Sequence, residues 1–308
     1  MTSKELTRQA TGSELPGFGK KIAQYYFPAT VAECVEILAR FEGKASIIAG
    51  GTDLFLWVKE GKASPAVLVD VSRVGALRVF SDETDRVVLG PALTHAEIAS
   101  NPVVKALFPA LSDGCRNVGS PQIRNIGTLG GNIVSAQPAA DSVVPLVALD
   151  AKCEIAGPSG LRIEPLEGLS LGVGKSRVDP TREVITKIIV MKPKAKFANA
   201  YSRIAPREAM ALPVINAAVQ ITVEEDRISG ARIVTAPVAV TPFRAKKAEE
   251  FLLGKQPGNK GDLKKAAELA EREAKPRDSL VRGSGGYRKV LVGDLVEQAL
   301  IQAAGKLG

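Results

Sequence analysis

The chain has 308 residues, 45% apolar and 24% charged, with 29 glycines and 19 prolines, so it can fill two packed domains joined by many turns and is too apolar for extended disorder. Its net charge of +8 suits an anionic partner, but the basic residues interleave with acidic ones and no aromatic ladder accompanies them, which argues against a nucleic-acid platform. Three scattered cysteines, Cys34, Cys115 and Cys153, and a single histidine, His95, offer no metal-ligand spacing and no disulfide framework, as expected of a reducing cytoplasm.

Residues 1–22 are polar, with Gly and Pro and no apolar signal core, and read as a loose extension. No later stretch approaches the roughly 18 apolar residues of a membrane span, so a soluble cytoplasmic protein is expected. From "QYYFPAT" onward the pattern orders: Thr30 caps a helix over "VAECVEILARF", "ASIIAGG" is a short strand stopped by glycines, and "PAVLVDVSRV" is a second buried strand. Residues 23–80 therefore read as a small α/β unit with parallel strands.

Over 81–197 the strands "RVVLG", "KCEIAG" and "EVITKIIV" alternate with two helical stretches, "HAEIASNPVVKALFPALSDGC" and "ADSVVPLVALDA", an α+β layout around an antiparallel sheet. His95 opens the first of these and reads as a helix N-terminal or packing residue. From 198 to 308, "PVINAAVQITVEEDRISGARIVTAPVA" reads as paired strands with Asp226 and Gly230 as turn residues, followed by charged helices over 244–274 and 291–304.

Two glycine stretches stand out. "IIAGGTDLFL" at 47–56 and "RNIGTLGGNI" at 124–133 each set a Gly-Gly pair near a threonine hydroxyl and adjoin apolar residues. Glycine lets backbone N–H groups converge on a phosphate, and two such loops can grip the two phosphates of a dinucleotide from opposite sides without a lysine. A tight turn between strands is the plainer reading of one loop alone. Neither stretch has the Gly-Lys-Ser/Thr of a P-loop or the G-x-G-x-x-G of a Rossmann fingerprint, which leaves a non-Rossmann dinucleotide site and points to flavin adenine dinucleotide (FAD).

AGGTDL at 49–54, GSPQIRNIGTLGGNI at 119–133 and SAQPAADSVVPLVALDA at 135–151 together resemble the FAD-binding medium subunit of the molybdenum hydroxylases, the xanthine dehydrogenase and carbon monoxide dehydrogenase group. The resemblance continues through "YSRIAPREAMALPVINAAV" and "GGYRKVLVGDLVEQAL". It implies an α+β fold: a two-part FAD-binding domain of the non-Rossmann (PCMH-type) kind over 23–197, then a C-terminal α+β domain of antiparallel strands and helices over 198–308.

By this resemblance Ala49, Gly50, Gly51, Thr52, Asp53 and Leu54 would supply N–H groups and the Thr52 hydroxyl to the FAD pyrophosphate, with Asp53 otherwise a helix cap. Thr128, Gly130, Gly131 and Asn132 would close it from the other side, with Ser135 nearby. Asp141 would accept ribose or ribityl hydroxyls, or else cap a helix. Val118, Gly119, Ser120, Gln122 and Ile185 would approach the isoalloxazine ring, and Arg203 takes the place of a lysine found in many relatives. Ala211 stands where relatives often have Asp, and the extension over 1–22 is longer than usual. The cysteines are too scattered for the extra cluster of the 4-hydroxybenzoyl-CoA reducing relative.

No catalytic or metal-binding side chain is expected on this chain. The implied function is FAD-dependent electron transfer within a complex, between two-iron two-sulfur clusters on a small subunit and an acceptor such as NAD, with the molybdenum cofactor and the substrate on a large subunit. The competing functions are a stand-alone flavin oxidoreductase of the UDP-N-acetylenolpyruvoylglucosamine reductase type, and a non-catalytic assembly subunit.

Overall fold

The computed structural model describes residues 22–207 and 210–307. The extension expected over 1–22 lies, but for its last residue, outside them.

The first unit runs β1 (Gln24–Tyr26), α1 (Val31–Arg40), β2 (Ala45–Ile48), α2 (Leu54–Lys59) and β3 (Val67–Asp70). Thr30 caps α1 as expected, its Oγ1 accepting from the Glu33 N–H at 3.1 Å. The three strands form a parallel sheet in the order β1-β3-β2. Cys34, Ile37 and Leu38 of α1 pack with Val67 and Val69 of β3 in one apolar core.

The second unit begins with β4 (Phe80–Asp82) and β5 (Arg86–Leu89), then threads α3 (His95–Ser100), α4 (Pro102–Leu107), α5 (Pro109–Arg116), α6 (Pro121–Ile126), α7 (Leu129–Val134) and α8 (Val143–Ala148) before β6 (Lys152–Gly157), β7 (Gly160–Pro165), β8 (Ser170–Gly172), β9 (Lys175–Ser176) and β10 (Val184–Met191). Its main sheet is antiparallel where β10 pairs with β5 and β6, in the order β4-β5-β10-β6-β7. The first expected helical stretch is three short helices. Pro102 and Pro109 lack the N–H that would continue a helix, so each opens a new one, and Asn101 Oδ1 caps α4 through the Val103 and Val104 N–H groups.

The third unit holds β11 (Lys196–Ile204), β12 (Ile215–Glu224), β13 (Arg227–Ala236) and β14 (Phe243–Arg244), an antiparallel sheet in that order, covered by α9 (Lys246–Leu252), α10 (Lys260–Glu273) and α11 (Gly285–Gly305). The hairpin turns at Glu225 and Asp226, with φ of 48° and 57°, the left-handed pair that a two-residue hairpin of matching twist requires. Gly230 is not in the turn. It lies within β13 opposite Thr222, beside a register shift, where an added Cβ would come within 2.5 Å of Thr222 Oγ1.

The second and third units share packing. Tyr201, Ala218, Val234 and Ala236 of the C-terminal sheet join the core built around α5, α8 and β10. Asn199 of β11 is fully buried at this junction, where its Oδ1 accepts from the Ala110 N–H at 2.9 Å and its Nδ2 donates to the Leu107 carbonyl at 2.8 Å.

Candidate functional site

The chain leaves β2 at Ile48 and turns through Ala49–Asp53 into α2. Gly51 has φ of +69°, a conformation that L side chains rarely adopt. Among the described residues, no acceptor meets the N–H groups of Gly50, Gly51, Thr52 or Asp53. Four consecutive free donors at a strand end are what an anion needs.

Asp53 occupies the N-cap position of α2 without making a cap bond. Its carboxyl instead meets Ser135, and burial pushes its pKa above the usual carboxylate range against the lowering effect of that bond. The cap reading of Asp53 is therefore corrected.

The second glycine stretch is a helix, a break at Gly127, and a second helix, not a turn between strands. Ser120 caps α6, its Oγ accepting from the Ile123 N–H at 3.3 Å, and Thr128 caps α7, its Oγ1 accepting from the Gly131 N–H at 3.2 Å. The Leu129 and Gly130 N–H groups donate to the Leu93 and Pro91 carbonyls at 3.0 and 2.8 Å. A second nest of open N–H groups is therefore absent there.

What this stretch offers is side chains. Asn132 Oδ1 accepts from the Ser142 hydroxyl at 2.6 Å, which leaves the Asn132 amide NH₂ as its open end. Its glycines serve close approach rather than positive φ. A Cβ on Gly130 would lie 2.6 Å from Pro91 Cβ, and a Cβ on Gly50 would run into the Ile126 carbonyl and within 3.0 Å of Gly127 Cα. The two glycine stretches, more than 70 residues apart in sequence, thus touch backbone to backbone.

Between them is a cavity of about 260 Å³. It is lined by Ala49, Gly50, Gly51, Thr52, Asp53, Leu54, Val118, Thr128, Gly130, Gly131, Asn132, Ser135 and Ile185, all singled out from sequence. Gly119, Ser120 and Gln122 follow Val118 into α6 but do not line it. Trp57, the only tryptophan, together with Pro91, Ile123, Val184 and His95, lines it and was not expected to. A lone Trp five residues past "AGGT" was the available signal.

His95 is the first residue of α3, behind the capping box of Thr94 and Glu97, as its place in sequence suggested. It is also a wall of the cavity, only 2% exposed, and burial with the nearby Arg124 guanidinium lowers its pKa to about 4, so it is uncharged at neutral pH.

Asp141 and Arg203, expected as cofactor contacts, are not among the residues that line this cavity. Asp141 is buried, and its Oδ1 accepts from Tyr201 Oη at 2.5 Å, Asn216 Nδ2 at 3.0 Å and Arg203 Nε at 3.1 Å. Arg203 also donates through Nη2 to the Ala211 carbonyl, a contact that does not depend on the side chain at 211. The carboxylate joins the two domains. Burial pushes its pKa up, opposed by Arg203 and the two neutral donors.

Residues 20–193 match the family model of the FAD binding domain in molybdopterin dehydrogenase, and residues 200–303 match the CO dehydrogenase flavoprotein C-terminal domain. The carbon monoxide dehydrogenase medium chain of Hydrogenophaga pseudoflava is 30% identical over 90% of this chain and 95% of its own length. The xanthine dehydrogenase FAD-binding subunit of Escherichia coli O157:H7 is 28% identical over 93% and 97%. Among solved structures, a chain of the Hydrogenophaga carbon monoxide dehydrogenase superposes with a TM-score of 0.85 at 31% identity, covering 92% of this chain and 98% of that one. A chain of quinoline 2-oxidoreductase from Pseudomonas putida 86 gives 0.84 at 26% identity, covering 92% and 97%.

Proposed function

The chain belongs to the FAD-binding subunits of the molybdenum hydroxylases, and from that membership we propose that it passes electrons between iron–sulfur clusters on a small partner subunit and an external acceptor such as NAD⁺. The stand-alone reductase and the assembly subunit without cofactor give way to this reading.

The observation that carries it is the cleft itself: four unpartnered N–H groups at Gly50–Asp53 face a cavity whose far wall is the second glycine stretch, with both stretches in backbone contact. These residues fit FAD. The Gly50–Asp53 donors and the Thr52 hydroxyl hold one side of the diphosphate, and the Thr128 hydroxyl and Asn132 amide hold the other. Asp53, a carboxylate that lines the cleft, accepts a hydrogen bond from a sugar hydroxyl, and Val118 and Ile185 offer apolar surface to the ring system.

FAD supplies the redox chemistry, since its ring takes electrons singly and releases them as a pair. The chain's part is to bind, orient and exclude water, and no side chain acts as acid or base. Oxidation of the organic substrate belongs to a large molybdenum-cofactor subunit. The net charge of +8 steers an anionic acceptor such as NAD(H), or docks acidic partner surfaces.

The test is the visible spectrum of the purified, FAD-loaded chain, recorded anaerobically before and after NADH. Bleaching of a bound flavin is expected. A bound flavin that stays yellow removes NAD as the acceptor, and failure to retain flavin removes the reading altogether.

A further inference from the structure

The titratable side chains of the cleft are Asp53, Glu183 and His95, and whereas Glu183 is paired with Arg162 and Asp53 meets Ser135, the His95 ring has no such partner. Neither ring nitrogen has a partner among the described residues, and Nδ1 is shut off from solvent. A buried, unpartnered polar atom is a standing cost, and native folds seldom carry one without a use. The ring is fixed in place. The backbone N–H of His95 donates to the Gly127 carbonyl at 3.0 Å, Thr94 pairs with Thr128 as an isolated bridge, and the capping box holds the start of α3.

The tautomer follows from this setting. A bare imidazole nitrogen tolerates burial without a partner better than an N–H does, so Nδ1 is the bare nitrogen and the proton resides on Nε2. Nε2 adjoins Cδ2, the ring atom that faces Gly127 in the cleft wall, and unlike Nδ1 it is not a closed-off orphan. A Cβ on Gly127 would stand 3.5 Å from both the His95 ring and Thr52 Oγ1, which puts imidazole and hydroxyl around one spot beside the open N–H groups of the first stretch. The Arg124 guanidinium lies close enough to disfavour a charged imidazole, and it favours an anion in the same place.

We infer that the uncharged imidazole of His95 is a binding contact for the diphosphate of the dinucleotide, donating its Nε2–H to a phosphoryl oxygen. This rests on the cleft being the FAD site. The contact supplements the backbone donors on the side where the Leu129, Gly130 and Gly131 N–H groups of the second stretch are occupied.

Because His95 is the only histidine in the sequence, its ring is directly observable. In the full chain with ¹⁵N-labelled histidine, the Nε2 resonance is expected to shift when ADP, a diphosphate without flavin, is added, and to shift likewise with FAD. His95→Leu, which fills the space without donating, is expected to weaken both ADP and FAD about tenfold, and His95→Gln, whose amide reaches the Nε2 position, to recover most of that loss. An Nε2 resonance unmoved by ADP overturns the inference, and does so even if His95→Leu fails to fold. So does a His95→Leu affinity loss confined to FAD, which places the contact on the flavin. Wild-type chain that binds neither compound sinks the cleft assignment itself.

Discussion

Replacing Asp141 by alanine separates a structural carboxylate from a cofactor ligand. In the folded chain its Oδ1 receives three donors, Tyr201, Arg203 and Asn216, at a position only 5% exposed. Alanine would leave a guanidinium 8% exposed without a counter-charge, and a buried phenol and amide without an acceptor. Breaking a buried pair from one side costs about 3–5 kcal/mol, and each orphaned neutral donor adds about 1–3 kcal/mol. The carboxylate's own burial penalty, visible in its raised pKa, is relieved and offsets part of this, so a net loss of about 3–5 kcal/mol is expected.

That is a large fraction of the roughly 5–15 kcal/mol that keeps a domain folded. Urea unfolding of the cofactor-free chain, followed by circular dichroism, gives the difference. Asp141→Asn retains an acceptor and should lose less. Because the bond set joins the two domains, Asp141→Ala is also expected to split the unfolding into two transitions. Unfolding within about 1 kcal/mol of wild type, together with a tenfold or greater loss of FAD affinity, would refute this reasoning and return Asp141 to the cofactor.

Gly50→Ala drives a Cβ into the Ile126 backbone, so it should prise the two stretches apart, destabilise by about 1–3 kcal/mol and abolish FAD retention, whereas Gly131→Ala meets only Thr128 Oγ1 at 3.0 Å and should weaken FAD with little change in unfolding. Equilibrium dialysis and urea unfolding of both variants check this. His95 has a folded pKa of about 4 against an ordinary 6.5, so the unfolded chain binds more protons between those values. Stability of the cofactor-free chain should therefore fall by about 3 kcal/mol as pH drops from 6.5 to 4, and His95→Leu should remove that part of the slope. Cys34, Cys115 and Cys153 are buried, with burial raising all three thiols and bringing Cys34 and Cys153 to about 12. Thiol reagents should leave the native chain unlabelled at pH 7 and label three sites after urea, as read by mass spectrometry.

Elements with a strong local cause were legible in the sequence. The Thr30 cap and apolar spacing gave α1, the buried run "VLVD" gave β3, and the two glycine stretches, read together, line one cavity. The order α6, Gly127, α7 was not legible, because glycine and asparagine lower helix propensity and only the caps from Ser120 and Thr128 and the packing against Pro91–Leu93 decide it. Asp141 shows a different limit. Its position after the second stretch resembles that of a cofactor ligand, while its partners lie 60 or more residues away on strands whose register only the fold sets. His95 was placed correctly on its helix, but the closeness of Gly127 that turns it toward the cleft is a tertiary contact.

The most direct test of the account uses Trp57, the only tryptophan in the chain and a wall of the cleft. FAD titrated into the cofactor-free chain should quench its fluorescence to a sharp endpoint at one flavin per chain. Flavin that binds at that stoichiometry but leaves Trp57 emission unchanged would place the cofactor elsewhere and contradict the assignment of the cleft.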